Sequence, residues 1–294
     1  MKNVLVVGSL NMDYTIYVKD FPLEGETIYG KSRFIQAGGK GENQAVALAK
    51  SYLVNSYMIG AVGNDKDGEE ILKILKDNGV KSHVIVKDGV ETGNATITVN
   101  EGSENEIIII AGANGKLAVS DIDLELLKKC DICVIQNEIP QETNEYVIKK
   151  AKEFNKIVVY NPAPYRDFDI SILKDVDYFI PNKVEFEKCT GTDNLEEGMK
   201  KLLDLGVKNL LVTLGTKGSV LVNKNEKIFV EANKVNAIDT VGAGDTYIGY
   251  FVAALASGRS HELAMRIASK ASSICVTKKG SLVSIPYGEE VYEG

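Results

Sequence analysis

Asp245 closes a run of small residues, Asp239-Thr240-Val241-Gly242-Ala243-Gly244-Asp245, ahead of the apolar stretch TYIGYFVAALAS. Small side chains let backbone N–H groups approach a ligand, and a helix start carries about half a positive charge. Gly242, Ala243 and Gly244 thus predict an anion-binding turn. A carboxylate in that first turn repels phosphate, so its presence asks for a reason. Proton removal from a hydroxyl that attacks the anion is the natural one. The plain alternative is an Asp placed favourably in the helix dipole. Two other clusters carry similar promise. Gly38-Gly39-Lys40-Gly41-Glu42-Asn43 is again Gly-rich at a helix start, a common feature by itself. Gly8-Ser9-Leu10-Asn11-Met12-Asp13 follows the apolar run Val4–Val7. In open α/β sheets ligands gather beyond the carboxyl ends of strands. Asn11 and Asp13 offer amide and carboxylate groups that pair with sugar hydroxyls; both are also ordinary turn residues.

One match of good appearance is set aside. Gly25-Glu26-Thr27-Ile28-Tyr29-Gly30-Lys31-Ser32 satisfies G-x-x-x-x-G-K-S letter for letter. A phosphate loop needs a buried strand before it and a helix starting at the Lys-Ser. Here Asp20-Phe21-Pro22-Leu23 precedes, and the following residues reach Gly38-Gly39 too soon for a helix. Thr-Ile-Tyr reads instead as strand.

The composition narrows the chemistry. Against 34 Lys and Arg stand 41 Asp and Glu, a net charge of -7, which disfavours nucleic acid as a partner. Two histidines, His83 and His261, leave little for a histidine-rich metal site or a Ser-His-Asp triad. The base of an enzyme with this composition is expected to be a carboxylate. Cys130, Cys133, Cys189 and Cys275 occur without a secretory signal, which points to free thiols in a reducing cytoplasm. Cys130-x-x-Cys133 runs into a strand and is read as coincidence rather than a redox or zinc motif. Apolar runs fall short of a membrane span.

These residues need a frame. Helices are predicted from Gly39 through ENQAVALAKSY and over 67–78, where Ile71, Leu72 and Leu75 recur at helical spacing. From 120 onward the pattern alternates: helix 120–129, strand 132–135, helix 141–154, strand 157–160, strand 178–180, helix 183–190, helix 195–205, strand 209–213. A hairpin over 219–223 and 227–230 and helices over 242–257 and 260–275 complete it. Alternation of this kind means a mostly parallel sheet covered on both faces, an α/β fold. The stretches near 14–18 and 27–36 and the 92–110 hairpin do not fit the alternation. They are expected to form a small separate sheet covering the main one.

Together the three clusters, in this order, resemble the ribokinase-like sugar kinases of the phosphofructokinase-B type, along nearly all 294 residues. The N-terminal signature of that family is similar to Gly38–Ala45 and the C-terminal one to Asp239–Asp245. Thr92-Gly93, Ala113-Asn114, Asn161-Pro162-Ala163-Pro164, Asn182 with Glu185, and Thr213–Gly218 also match. The resemblance implies a three-layer α/β/α sandwich over 1–294 as one kinase unit, with a β lid from segments of about 14–36 and 92–110. It implies ATP-dependent phosphorylation of a sugar hydroxymethyl group, with O5 of ribose as first expectation and deoxyribose, fructose or a nucleoside as alternatives. A non-catalytic sugar-binding protein on this fold is disfavoured by the intact Asp245 and Gly242–Gly244.

Residue by residue, the resemblance makes Asp245 the base and the amides of 242–245 the anion hole. Asn11, Asp13, Gly39, Lys40, Asn43 and Glu138 would hold the sugar, with Ala95 and Ile97 facing it from the lid. Asn182, Thr213, Gly215, Thr216, Lys217, Gly218, Gly244 and Ser269 would meet ATP. Glu185 would hold Mg²⁺ through water. Asp239, Val241, Cys275, Lys278, Gly280 and Ser284 would surround K⁺, largely through backbone oxygens. The lid would pair subunits into a homodimer. The chain departs from the family pattern at Glu42, Asn94, Asn137, Tyr247 and Tyr250. Glu42 and Tyr250 are expected to touch only helix packing or the surface. Asn94 is expected to face solvent, since Ala95 and Ile97 take the inner strand face.

Overall fold

The computed structural model describes residues 1–102 and 104–292. In chain order the elements are β1 (Asn3–Val7), β2 (Asn11–Tyr17), β3 (Ser32–Gly38), α1 (Lys40–Lys50), β4 (Asn55–Gly63), α2 (Lys66–Asp77), β5 (Lys81–Lys87), β6 (Gly93–Val99) and β7 (Asn105–Ile110). There follow α3 (Leu124–Lys129), β8 (Ile132–Ile135), α4 (Gln141–Glu153), β9 (Ile157–Tyr160), β10 (Tyr178–Phe179), α5 (Lys183–Thr190), α6 (Leu195–Asp204) and β11 (Asn209–Thr213). The chain ends through β12 (Ser219–Asn223), β13 (Lys227–Val230), α7 (Ala243–Ala256), α8 (His261–Cys275) and α9 (Gly288–Tyr292).

Two sheets result. The larger runs β13-β12-β11-β10-β9-β8-β1-β4-β5. Every pairing from β5 to β11 is parallel, and β12 and β13 add an antiparallel edge. Its strands carry apolar residues at successive positions because both faces are covered. In β1, Val4 and Val6 enter one core with residues of α1, α7 and α8, while Leu5 and Val7 enter the other with residues of α3 to α6. The same alternation divides Ile132 and Val134 from Cys133 and Ile135 in β8. This is a three-layer α/β/α arrangement. Cys130 and Cys133 lie buried and free within it, and burial pushes the Cys130 thiol up to about 12.

The smaller sheet runs β3-β2-β6-β7. β2 leaves the carboxyl end of β1 after a three-residue turn, so Asn11 and Asp13 stand where the two sheets meet. The strand expected over 27–36 is shorter than the sequence suggested. Its partner β2 ends at Tyr17, opposite Ser32, so Thr27–Gly30 have nothing to pair with. Tyr29 is almost wholly exposed there. The Gly25–Ser32 stretch is followed by strand, not helix, which removes the geometry of a phosphate loop. The helix expected over 120–129 begins at Leu124, after a short 3₁₀ turn.

Candidate active site

Three chain segments converge beyond the carboxyl ends of the parallel strands. Gly242 caps α7 at φ 77°, a left-handed value that favours glycine. A Cβ there would also stand 3.0 Å from Ser281 Cα. A Cβ at Gly244 would meet nothing within 4 Å, so this residue borders open space. The amides of Gly244 and Asp245 occupy the first turn, where no intrahelical acceptor exists for them, while that of Ala243 donates to the Thr240 carbonyl at 3.3 Å. Asp245 itself is buried. Its Oδ1 accepts from Gln44 Nε2 at 2.9 Å and its Oδ2 from Asn43 Nδ2 at 3.1 Å. Burial raises its carboxyl above the usual carboxylate range, opposed by the Lys40 ammonium and the two amide donors. Burial also presses Lys40 to lose its proton, but Asp245, Glu138, Glu185 and Asp13 outweigh it and raise the ammonium above its ordinary value. One cation thus sits among four acids.

Gln44 is a site residue that sequence reasoning missed. Its Oε1 accepts from Gln136 Nε2 at 2.7 Å, and its Nε2 also reaches Asn161 Oδ1 at 3.2 Å. A buried amide chain therefore orients the carboxylate of Asp245. The available signal was its position next to Asn43 at the start of α1.

On the other side of Lys40 lie the groups assigned to the sugar. Glu138 Oε2 accepts from the Lys40 amide at 3.0 Å and from Ser9 Oγ at 2.5 Å. Asn11 Oδ1 accepts from Asn114 Nδ2 at 2.7 Å, which leaves the Asn11 amide as a donor. Asn114 is held in turn by the backbone of Leu10 through both its polar atoms. Asp13 is buried, and its carboxyl is raised to about 7 by that burial, then by Glu138 and Asp245, against Lys40. Gly39 adopts φ 88° at the N-cap of α1, and a Cβ there would stand 3.0 Å from the Asn11 amide nitrogen. Asn43 Oδ1 is buried without a partner. Across the small sheet Asp13 pairs with Ala95 and Thr15 with Ile97, so these four share a face. Asn94 takes the opposite face, with its Nδ2 on Glu91 Oε2 and the Thr92 carbonyl, both at 3.3 Å.

Of the alternatives expected for Glu42 and Tyr250, helix packing or the surface, both residues take the first. Glu42 does not lie at the surface. It is fully buried, both carboxyl oxygens lack partners, and burial with Asp13 nearby raises its carboxyl well above the usual range. Tyr250 is packed inside as expected, and its hydroxyl donates to the Pro286 carbonyl at 2.7 Å. Asn137 is buried and accepts from the Tyr160 hydroxyl at 2.6 Å, while Tyr247 meets Ser219 Oγ at 2.7 Å.

Beside the α7 turn opens a cavity of about 730 Å³. Asn182, Thr213, Gly215, Thr216, Gly218, Gly244 and Ser269 all line it. Lys217 is not on its wall; it ends the 3₁₀ turn of residues 215–217 and is exposed. Asn182 and Glu185 form a capping box at the start of α5, both Glu185 oxygens accepting from Asn182 at 2.8 and 2.9 Å. Burial raises the Glu185 carboxyl, and the Asn182 amide and Lys40 oppose this.

Among the described residues no cluster of three or more His, Cys, Asp or Glu could cage a metal. Glu185, each oxygen of which accepts one bond from Asn182 and keeps a further lone pair, suits Mg²⁺ held through water, since Mg²⁺ keeps waters and takes phosphate oxygens. The residues expected around a larger cation lie together in the loop after α8 and the α7 turn. Asp239 accepts from the amides of Val241 and Gly280, both at 3.0 Å, and so ties that loop to the α7 turn. Ser284 Oγ is buried between Cys275 Sγ at 3.0 Å and the Ser281 carbonyl at 2.7 Å. Lys278 turns its ammonium to Glu290, which leaves its backbone as the group for the loop.

The chain is similar to known proteins over nearly its whole length. The family model of pfkB family carbohydrate kinases matches residues 1–287. A deoxyribokinase of Salmonella typhi is 37% identical, over 99% of this chain and 98% of its own. A ribokinase of Lactococcus lactis is 38% identical, over 99% and 96%. The structure of Arabidopsis thaliana ribokinase complexed with ribose and ATP superposes with a TM-score of 0.92 at 34% identity, covering 99% of this chain and 98% of that one. The fold is that of the ribokinases, and the chain belongs to the pfkB family of carbohydrate kinases, phosphotransferases with an alcohol acceptor.

Proposed function

We propose that this chain is a ribokinase, transferring the γ-phosphoryl group of ATP to the O5 hydroxyl of D-ribose, with residues 1–294 acting as one unit under a β lid. The observation that carries the reading is the placement of Asp245. It stands in the anion-binding turn of α7, bonded to the sugar-side helix α1 and next to a cavity of nucleotide size. Asn11, Asp13, Asn43 and Glu138 take the sugar hydroxyls, with the backbone of Gly39 and Lys40 beside them and Ala95 and Ile97 closing over the ring. Asp245 accepts the O5 proton as the O5–phosphorus bond forms and the bond from phosphorus to the β,γ-bridging oxygen breaks, leaving ADP. The amides of 243–245 and Lys40 stabilise the charge on the phosphoryl oxygens.

Glu185, through water, would hold Mg²⁺, and Asp239, Ser284 and the backbone of 241, 275, 278 and 280 would hold K⁺. When bound, these cations supply neutralising charge beside the phosphates. The small sheet exposes Ile107, Ile108, Ile109 and Ile110 along one edge strand, β7, and Phe34 and Ile35 on the opposite edge strand, β3. That apolar surface supports a homodimer formed through the lid. Four free cysteines, three of them buried, suit a reducing cytoplasm.

Deoxyribose is the second reading, favoured by one observation: the deoxyribokinase and the ribokinase relatives are about equally similar to this chain. ADP release measured over ribose, 2-deoxyribose, fructose and nucleosides, with and without potassium, decides. Ribose is expected to give the highest kcat/KM. Ribose turnover far below another member of the panel refutes the assignment.

A further inference from the structure

The small sheet touches the loop after α8 at two points. Gln36 Oε1 accepts from the Ser281 amide at 2.9 Å, and the ammonium of Lys279 stands 5.7 Å from the centre of the Tyr17 ring. The Ser281 amide can only donate, so the oxygen of Gln36 is the group that faces it. The contact is tight. A Cβ on Gly280 would fall 2.5 Å from Gln36 Oε1.

Each end of this contact leads to a substrate group. Gln36 lies directly opposite Asp13 in the β2–β3 pairing, and Asp13 lies opposite Ala95. One rung of the sheet therefore carries Gln36, a sugar acceptor and a wall of the sugar site. At the other end, Ser281 packs against Gly242, so closely that a Cβ on Gly242 would meet its Cα and Cβ at 3.0 and 3.1 Å. Gly242 sets the turn whose amides meet the phosphoryl group. Asp239 fixes the same loop through the Gly280 amide.

We propose that Gln36 is a positioning residue that couples sugar binding to nucleotide binding through Ser281 and Gly242; this rests on the sugar and nucleotide assignments above. Sugar held by Asp13 fixes the rung. The rung fixes Ser281, and Ser281 fixes the turn that receives the γ-phosphate. By reciprocity a bound nucleotide tightens the sugar by the same factor.

The test is the Kd of ribose by calorimetry, with and without the β,γ-imido analogue of ATP. Thermal unfolding of each variant checks that it is folded. In the native chain the analogue is expected to tighten ribose by about fivefold or more. Gln36→Leu keeps the bulk and loses the acceptor, and its factor is expected to fall below about twofold. Gln36→Glu keeps an acceptor oxygen and is expected to retain most of the coupling. Full coupling in Gln36→Leu, or none in a native chain that binds both ligands, overturns the proposal. A native chain that binds no sugar overturns the site assignment as well.

Discussion

Replacing Asp13 by Asn should weaken the sugar site and strengthen the fold. Asp13 is 8% exposed, and its carboxyl is raised from 3.8 to about 7, first by burial and then by Glu138 and Asp245. The sign follows from proton counting. Between those two values the folded chain holds a proton that the unfolded chain has released, so stability falls as pH rises through that window. Above pH 7 the charged Asp13 costs the fold about 4 kcal/mol relative to its unfolded state, at about 1.4 kcal/mol per pH unit between the two values. Near pH 5 the cost is about 2 kcal/mol. Asparagine keeps the shape and carries no charge at any pH. Denaturant unfolding of both chains at pH 5 and pH 8 should therefore show the advantage of Asp13→Asn growing by about 3 kcal/mol. Comparing the two pH values cancels any fixed cost of the new amide. The same variant loses a charged acceptor worth about 1.5–3 kcal/mol to a sugar hydroxyl, so KM for the sugar should rise about 10- to 150-fold. An advantage independent of pH would refute the electrostatic reasoning, and an unchanged KM would remove Asp13 from the sugar site.

Lys50 offers the complementary case. Its ammonium is buried against the carbonyl of Ile285 at 3.0 Å, and burial, then Lys278, lower it from 10.5 to about 8. Between those values the unfolded chain holds the extra proton, so stability rises with pH. From pH 7.5 to pH 10 the native chain should gain about 2 kcal/mol more than Lys50→Met, measured by urea unfolding. Glu42→Leu removes two buried oxygens without partners and should stabilise the chain by about 1–3 kcal/mol at pH 8. A lower melting temperature for that variant would mean that Glu42 has a partner in solution.

The parallel strands were legible because burial on both faces leaves short apolar runs with clear ends, as in 132–135, 157–160 and 209–213. β4 and β5 escaped notice. Asn55–Gly63 mixes Asn, Ser and two glycines into its run, and Lys81–Lys87 is an edge strand with no fully buried residue. The pattern at Thr27–Tyr29 promised a strand, but pairing is non-local and β2 had already ended. Site residues marked by local turn chemistry, such as Asp245 and Gly242, were readable in isolation. Gln44 and Gln136 were not, because their roles come from partners 92 to 201 residues away. For Glu42 the sequence left packing and surface both open; charge predicts exposure on average, and here the packing of α1 overrides it.

The central claim is that Asp245 takes the proton of the sugar hydroxyl during transfer. Asp245→Asn keeps the size of the side chain while removing the base, and the α7 amides stay in place. Single-turnover transfer of the γ-phosphoryl group should fall by about 10²–10⁴-fold, as expected for loss of a general base. The Kd for ATP should stay within about threefold, less than the tenfold that 1.4 kcal/mol would produce. Transfer at near the native rate by Asp245→Asn would contradict the account.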